Sequence, residues 1–600
     1  MLNPSKTLVT DPPADAYDWW RSAVIYQVYI RSFADGDGDG IGDLAGLRAR
    51  LPYLAQLGID ALWINPWYPS PMADAGYDVS DYRDIEPVFG AMDEARALID
   101  EAHALNLRII LDIVPNHTSA EHPWFQEALA AEPGSPARER FHFREGKGAG
   151  GELPPNDWHA VFGGPAWHRV PDGQWYLHLF APEQPDLNWE NPEVRDEFDD
   201  ILRFWFDLGI DGFRIDVAHG MVKDPEMPDL GRGEFASEDL DSPVRERHPH
   251  WDGDGLHEIF RRWRAIADSY PEPKIFVAEA VVPVHRHSDY LRPDELHTAF
   301  NFNFLKGPLE PGPLRSVIDS TSAAMATVDA PATWVLGNHD QARPVTRYGR
   351  EYTGVRGPKL DQGLPTDLEL GTRRARAAAL LMLALPGGAY IYQGEELGLW
   401  EVEDLPESVL QDPTWERSGH TVRGRDGCRV PLPWSGVHPP FGFSPEEADP
   451  WLPQPKEWDL LTVDAQTGEP ESMLELYREA LRLRRELPTL GDGPMAWLDT
   501  PPDVLAFTRG PVICAFNLST ALWQLPADTT VLLASNPSTA TSCPRTRQSG
   551  SRKTRAKPWG SGLCRSDRAP VALPNGQRVC VGPVRRGGST RYAASTWADG

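Results

Sequence analysis

Four short stretches hold side chains of the kinds that do covalent chemistry. Residues 111–117 read LDIVPNH and carry Asp112, Asn116 and His117. Residues 212–216 read GFRID (Arg214, Asp216), residues 276–279 read FVAE (Glu279), and residues 337–340 read GNHD (Asn338, His339, Asp340). Arg214 lies two residues before Asp216, so on a strand both side chains leave the same side. A cation there keeps a carboxylate ionised and nucleophilic. Glu279 has no basic residue beside it in the chain and follows the apolar run Ile-Phe-Val-Ala, a setting that favours the protonated acid. One carboxylate able to attack and one carboxylic acid able to donate, roughly 5–5.5 Å apart, are what retaining cleavage of a glycosidic bond requires. His117 and His339 can donate to hydroxyls, and no HxH or HExxH spacing supports them as metal ligands. A single acid at a strand end has a structural explanation; three of them with an Arg and two His do not.

These stretches share a setting, since each closes a short apolar run. Runs at 24–30, 61–64, 108–114, 212–216, 275–279, 334–336 and 389–392 read as buried strands, with 300–304 as a weaker candidate. Amphipathic helices fall between them, at 44–57, 93–105, 193–208, 258–268, 373–385 and 473–487. Asn191-Pro192 supplies an N-cap and a first-turn proline for the third of these. Alternation of strand and helix predicts an α/β fold with a parallel sheet. At this length a closed (β/α)8 TIM barrel is expected rather than a dinucleotide-binding sheet, because no glycine fingerprint follows the first strand. Active sites of such barrels lie at the C-terminal strand ends, so the four stretches would converge on one mouth.

Residues 118–190, rich in Pro, Gly, Trp and His, break the rhythm and read as a domain inserted after strand 3. Short alternating strands such as 504–508 and 512–518 predict a C-terminal antiparallel β domain. The expected organisation is barrel at 1–117, insertion at 118–190, barrel again at 191–488, β domain at 489–540 and an atypical basic tail at 541–600. That tail holds 12 Lys and Arg against 2 Asp and Glu, whereas the whole chain holds 58 against 88. The reversal, with the fading of strand alternation, reads as a shift of reading frame near residue 540 in preference to a disordered basic tail.

A formal charge of −30 argues against nucleic acid as a partner. A neutral substrate meets no such conflict, and 22 Trp offer flat faces for sugar rings, although any one of them is as readily a core residue. Five cysteines, odd in number and without metal-ligand spacing, point to neither a disulfide framework nor a zinc site. The N-terminal stretch lacks a basic start followed by an apolar run, and the apolar stretch 377–385 is too short to span a bilayer. The expected address is therefore the cytoplasm, with no membrane partner.

Residues 35–43 alternate acids with glycines. Asp35, Asp37, Asp39 and Asp43 stand at positions 1, 3, 5 and 9 of a calcium loop, with Gly40 at position 6 and the Ile41 carbonyl at position 7. Position 12 is Gly46 instead of a bidentate Glu, which excludes a helix-loop-helix sensor. Charges so close repel without a cation, so a structural Ca2+ is expected, with Mg2+ as the alternative.

Taken together and in this order, LDIVPNH, GFRIDVAH, FVAEA and VLGNHD resemble the four short conserved regions of glycoside hydrolase family 13, the α-amylase family. The resemblance implies Asp216 as nucleophile, Glu279 as acid/base and Asp340 as a third carboxylate that grips ring hydroxyls. It implies His117, Arg214 and His339 around the cleaved glucose, Asp78 of GYDVSDY as the acid holding the terminal glucose, and Tyr77 as its stacking neighbour. QPDLN (184–188) resembles a signature of the α-glucosidase and oligo-1,6-glucosidase group, which makes Gln184 a substrate-site candidate. CRVPLPW (428–434) resembles that group's Arg-Thr-Pro-Met-Gln-Trp stretch, which makes Arg429 a sugar-binding candidate. That group also carries an acidic loop like 35–43, and the residue after its nucleophile, here Val217, bears on linkage preference. The implied activity is a retaining, exo-acting α-glucosidase on short oligosaccharides, working through a covalent glucosyl-enzyme. The alternative is a glucosyltransferase or a sucrose or maltose isomerase, in which a sugar hydroxyl resolves the intermediate instead of water. A non-catalytic relative serving a transporter would lack the acids and carry a membrane segment.

Overall fold

The computed structural model describes residues 18–231, 249–445, 448–519, 521, 523–526, 529–536 and 578–583. Strands β1 (Val24–Val28), β2 (Ala61–Ile64) and β3 (Arg108–Ile113) come first. Next are β4 (Phe143–Glu145), β5 (Trp167–Arg169) and β6 (Gln174–Leu177), then β7 (Gly212–Ile215), β8 (Ile275–Ala278), β9 (Thr298–Ala299), β10 (Thr333–Val335) and β11 (Gly388–Tyr392). Eight of them form one parallel sheet in the order β10-β11-β1-β2-β3-β7-β8-β9. This is the expected TIM barrel, with the ladder open between β9 and β10.

Every barrel strand is buried on both faces, so its two sets of alternating residues enter two different cores. In β3, Ile109, Leu111 and Ile113 pack outward against the helices, while Ile110 points to the barrel interior with Ile25, Trp63, Ile275 and Val277. Outward Phe213 and Ile215 of β7 alternate with Arg214 in the same way. The inward row is thus apolar at the bottom of the barrel and turns polar at its top, at Gln27, Asp112, Arg214 and Glu279.

Helices α1 (Leu44–Leu57), α2 (Met92–Ala104), α3 (Pro192–Asp207), α4 (Leu256–Ala267), α5 (Pro311–Ala326), α6 (Leu368–Ala384) and α7 (Met473–Glu486) form the outer layer. The Asn191 side chain accepts from Glu193 N and caps α3, as its sequence context predicts. One expectation fails and one helix is unforeseen. Residues 300–304 are not a strand: β9 ends at Ala299, and Phe302–Lys306 is a helical turn capped by the Asn301 side chain. The Phe-x-Phe spacing arises because Phe300 and Phe302 both enter the inner core. Helix α5 has no counterpart among the expected elements. Its Pro311-Gly-Pro313 opening looks like a breaker, yet prolines in a first turn remove no helical hydrogen bond.

Strands β4, β6 and β5 form a three-stranded antiparallel sheet after β3. A five-stranded sheet follows α7, built from β12 (Ala496–Trp497), β13 (Val504–Arg509), β14 (Val512–Asn517), β15 (Thr530–Ala534) and β16 (Arg578–Pro583). β12, β13 and β14 pair antiparallel, whereas β16 lies parallel between β14 and β15. The sheet is therefore not confined to 489–540, and the rest of the tail lies outside the described residues. Among the described residues, no helix is long and apolar enough to cross a membrane, and Cys428 is a buried free cysteine.

Candidate active site

Strand register assembles the centre. Asp112 of β3 stands opposite Arg214 of β7, and Ile215 stands opposite Ala278 of β8. Asp216 and Glu279 each follow one member of the second pair, on strands about 4.8 Å apart. Backbone bonds hold them there: Asp216 N donates to Ile113 O at 2.9 Å and Glu279 N to Ile215 O at 3.0 Å. The Arg214 guanidinium, buried among them, spans three carboxylates. Its Nη1 reaches Asp112 Oδ1 at 2.7 Å and Asp216 Oδ1 at 2.6 Å, and its Nη2 reaches Glu279 Oε2 at 2.7 Å. The expectation that Glu279 stands apart from any basic residue is thus corrected: the cation two residues from Asp216 in sequence touches both acids in space. What separates the two is access, since the Glu279 side chain is 16% exposed and that of Asp216 8%.

Burial pushes the Asp216 carboxyl well up, with Arg214 opposing and Glu279 and Asp112 adding to it. Asp112 is raised to about 6, again by burial against the pull of Arg214. It also accepts from Tyr77 OH at 2.9 Å and Trp63 Nε1 at 3.1 Å. Three carboxylates around one guanidinium form a coupled cluster in which the charge of each bears on the others.

Asp340 enters the same mouth from the loop after β10. Its Oδ1 accepts from Arg425 Nη1 at 3.0 Å and Arg429 Nη2 at 3.1 Å, and its Oδ2 lies 3.4 Å from His339 Nε2. Burial works against its ionisation, and His339, Arg425 and Arg429 outweigh burial, so it titrates well below the usual carboxylate range. Burial in turn holds His339 well below its ordinary value, hence neutral, so the two arginines carry that pull. Gln27 Nε2 donates to His339 Nδ1 at 2.8 Å and to Asn65 Oδ1 at 3.0 Å. That contact assigns the His339 proton to Nε2, facing Asp340. The ring also stacks on Tyr77, with centroids 5.3 Å apart. Burial lowers His117 to about 3, and its Nε2 lies 3.0 Å from Tyr77 O.

Asp216, Glu279, Asp340, Tyr77, His117 and His339 all line one cavity of about 380 Å³, within the size range of small-molecule sites. Arg214 stands behind the acids. Three candidates belong elsewhere. Asp78 is fully buried and its carboxylate is used up by Ser70 Oγ, Ala73 N and Asp74 N at 2.9–3.0 Å. The acid in the cavity wall is Asp74, four residues earlier. Arg429 donates to His339 O and Asp340 from behind, while Arg425 lines the cavity and joins Asp74 Oδ1 at 2.7 Å to Asp340. Gln184 is fully buried and backs the wall, with its Nε2 3.2 Å from Asp74 Oδ2 and 3.1 Å from His117 Nε2. Asp412 orients Arg425 through its Nε. Sequence reasoning passed over Asp74, Arg425 and Gln27. The first two sit four residues from the chosen ones, and nothing local tells the members of each pair apart.

Away from the cavity, the Asp35, Asp37 and Asp39 carboxylates bring oxygens within 4.8 Å of one another. Burial, and then the charges of Asp37 and Asp35, push the Asp39 carboxyl up against the Ile41 amide. Gly40 has a φ of 90°, and a Cβ there would lie 2.2 Å from Asp449 O. Asp43 accepts from Gly36 N at 2.9 Å, Asp37 N at 3.1 Å and Gly46 N at 2.6 Å, so it ties the loop together and caps α1. Among the described residues no ion pair is made by these three converging carboxylates, and they fit a divalent cation with oxygen ligands.

Comparison with known proteins agrees with this geometry. A family profile described as "Alpha amylase, catalytic domain" matches residues 27–493. The chain is 38% identical over 517 residues to a "Probable alpha-glucosidase" of Rhizobium meliloti (strain 1021), covering 84% of this chain and 90% of that protein. It is 33% identical over 562 residues to an oligo-1,6-glucosidase of Heyndrickxia coagulans, covering 86% and 96%. The solved structure of the alpha-glucosyl transfer enzyme XgtA matches with a TM-score of 0.74 at 36% identity, over 85% of this chain and 93% of that one.

Proposed function

The chain belongs to the α-amylase family, glycoside hydrolase family 13, within its α-glucosidase and oligo-1,6-glucosidase group, and on that premise we propose that it is a retaining, exo-acting α-glucosidase. It is a glycoside hydrolase. The observation that carries the finer reading is the Arg214 fork holding Asp216 and Glu279 side by side at the cavity that Asp340 also enters.

Retaining cleavage requires the form in which Glu279 carries a proton and Asp216 the negative charge. An Asp216 oxygen attacks the anomeric carbon, and the bond from that carbon to the leaving oxygen breaks as Glu279 protonates it. Glu279, now a carboxylate, takes a proton from water, whose oxygen displaces Asp216 and releases glucose with its configuration retained. Neutral His339, with its proton on Nε2, and ionised Asp340 offer a donor and an acceptor to ring hydroxyls. The Asp74–Arg425 pair closes the cavity wall beside Asp340, which supports binding of a terminal glucose over an internal one. Short α-linked oligosaccharides are the proposed substrates. A Ca2+ or Mg2+ would be held by Asp35, Asp37, Asp39 and the Ile41 carbonyl, with Asp43 bracing the loop, and would supply stability alone.

Proton NMR of maltose, isomaltose, sucrose and maltopentaose digests tests the reading. Glucose released first as the α anomer from chain ends is the expected result, and initial β-glucose or internal cleavage products would overturn it. Likeness to a glucosyl-transferring enzyme favours a second reading, in which an acceptor hydroxyl replaces water. Transfer products that exceed free glucose in the same digests would select it.

A further inference from the structure

Just after Asp216 the backbone enters a conformation that a β-branched residue avoids. Val217 has a φ of 45°, in the left-handed region. The result is visible at Glu279: Val217 N donates to its Oε2 at 3.0 Å, and Ala218 N donates to its backbone O at 2.9 Å. Gly220 N donates to Val217 O at 2.8 Å and closes the turn. No side chain fits at Gly220, where a Cβ would lie 2.6 Å from both Val217 Cγ1 and Trp251 Cζ3.

Lys223 holds this turn from behind. Its Nζ donates to Gly220 O at 2.6 Å and to Asn116 Oδ1 at 2.7 Å, and pairs with Asp186 Oδ1 at 2.7 Å. Neither side chain of the pair has any exposed surface. Asp186 also accepts from Leu179 N and Asn116 Nδ2, at 2.7 and 3.0 Å. One ammonium thus joins the end of β3, the segment after β7 and the stretch that follows β6. A buried ion pair is a weak source of net stability, because desolvation offsets the attraction. What it supplies is a fixed geometry at the place where Glu279 is aimed.

We propose that Lys223, paired with Asp186, is a positioning residue for the acid/base, holding the 217–220 turn so that Val217 N–H orients the Glu279 carboxyl. The proposal rests on Glu279 being the acid/base. Misplacing a catalytic group by about 1 Å costs on the order of 100-fold. Loss should therefore fall on substrates whose leaving group needs a proton.

The test compares kcat/KM of Lys223→Met and Asp186→Asn on the disaccharide hydrolysed fastest, maltose or isomaltose, and on α-glucosyl fluoride, whose fluoride departs unprotonated. Glu279→Gln is measured alongside. Lys223→Met is expected to lose roughly 10–100-fold on the disaccharide and less than about 3-fold on the fluoride, with Asp186→Asn showing the same bias at smaller size. A selective loss in Glu279→Gln, with equal losses or no loss in the other two, would overturn the proposal and leave the acid/base intact. Absence of selective loss in Glu279→Gln would remove the acid/base reading and the proposal with it. If melting curves show that Lys223→Met does not fold, the ratio in Asp186→Asn decides.

Discussion

Arg214 touches Asp112, Asp216 and Glu279 at 2.6–2.7 Å, so the protonation of each acid depends on the other two. Asp216→Asn and Glu279→Gln should each lower kcat by roughly 10³-fold or more while melting temperature and circular dichroism stay near the parent values. A fully active purified variant of either would remove the role assigned to that residue. Asp74 and Asp78 offer a sharper contrast. Asp74→Asn, in the cavity wall beside Arg425, should raise KM by about 10-fold or more with little change in stability. Asp78→Asn should instead lower stability by about 1–3 kcal/mol, because the side chain holds Ala73 N, Asp74 N and Ser70 Oγ, with KM nearly unchanged. Michaelis kinetics and denaturant melts on both variants read this directly.

Elements deliver these residues in two ways. Strand ends do it by register: once β3, β7 and β8 pair, Asp112, Arg214, Asp216 and Glu279 have little freedom. Loops do it by local bracing, as in the 35–43 segment, where Asp43 caps α1 and gathers the amides of Gly36 and Asp37. A cation there would act on stability, far from the chemistry. Excess EDTA should lower the melting temperature by about 2–6 °C, with Ca2+ restoring it, and the double variant Asp35→Asn/Asp37→Asn should lose that response. An EDTA-insensitive melting curve in the parent protein would remove the metal from the account.

Across the whole molecule, buried titratable groups couple the barrel to its outer layer. Glu395 lies beyond β11, where its Oε1 is 3.3 Å from Tyr392 N and its Oε2 accepts from Tyr477 OH of α7 at 3.4 Å. Burial pushes its carboxyl up to about 8. The folded value lies above the unfolded one, so its contribution is fully present below roughly pH 4.5 and is lost as pH rises through 8. Glu395→Gln removes that proton linkage. The difference in melting temperature, variant minus parent, should therefore climb between pH 5 and pH 8, and differential scanning calorimetry across that range would show it. A flat difference would mean that Glu395 is ionised in the folded chain.

The chain's local pattern was enough for the barrel and for the acids at its mouth. Period-two burial and the point where an apolar run turns polar are properties of a strand read one residue at a time, and Asp216, Glu279 and Asp340 follow from them. Tertiary structure alone decided what faces what. Arg214 reaches Glu279 because charge acts through space, and an apolar neighbourhood in sequence says nothing about a cation on the next strand. Asp74 and Arg425 take the places expected of Asp78 and Arg429 because loop residues are aimed by the distant segments they pack against, and a four-residue offset within a loop has no local mark.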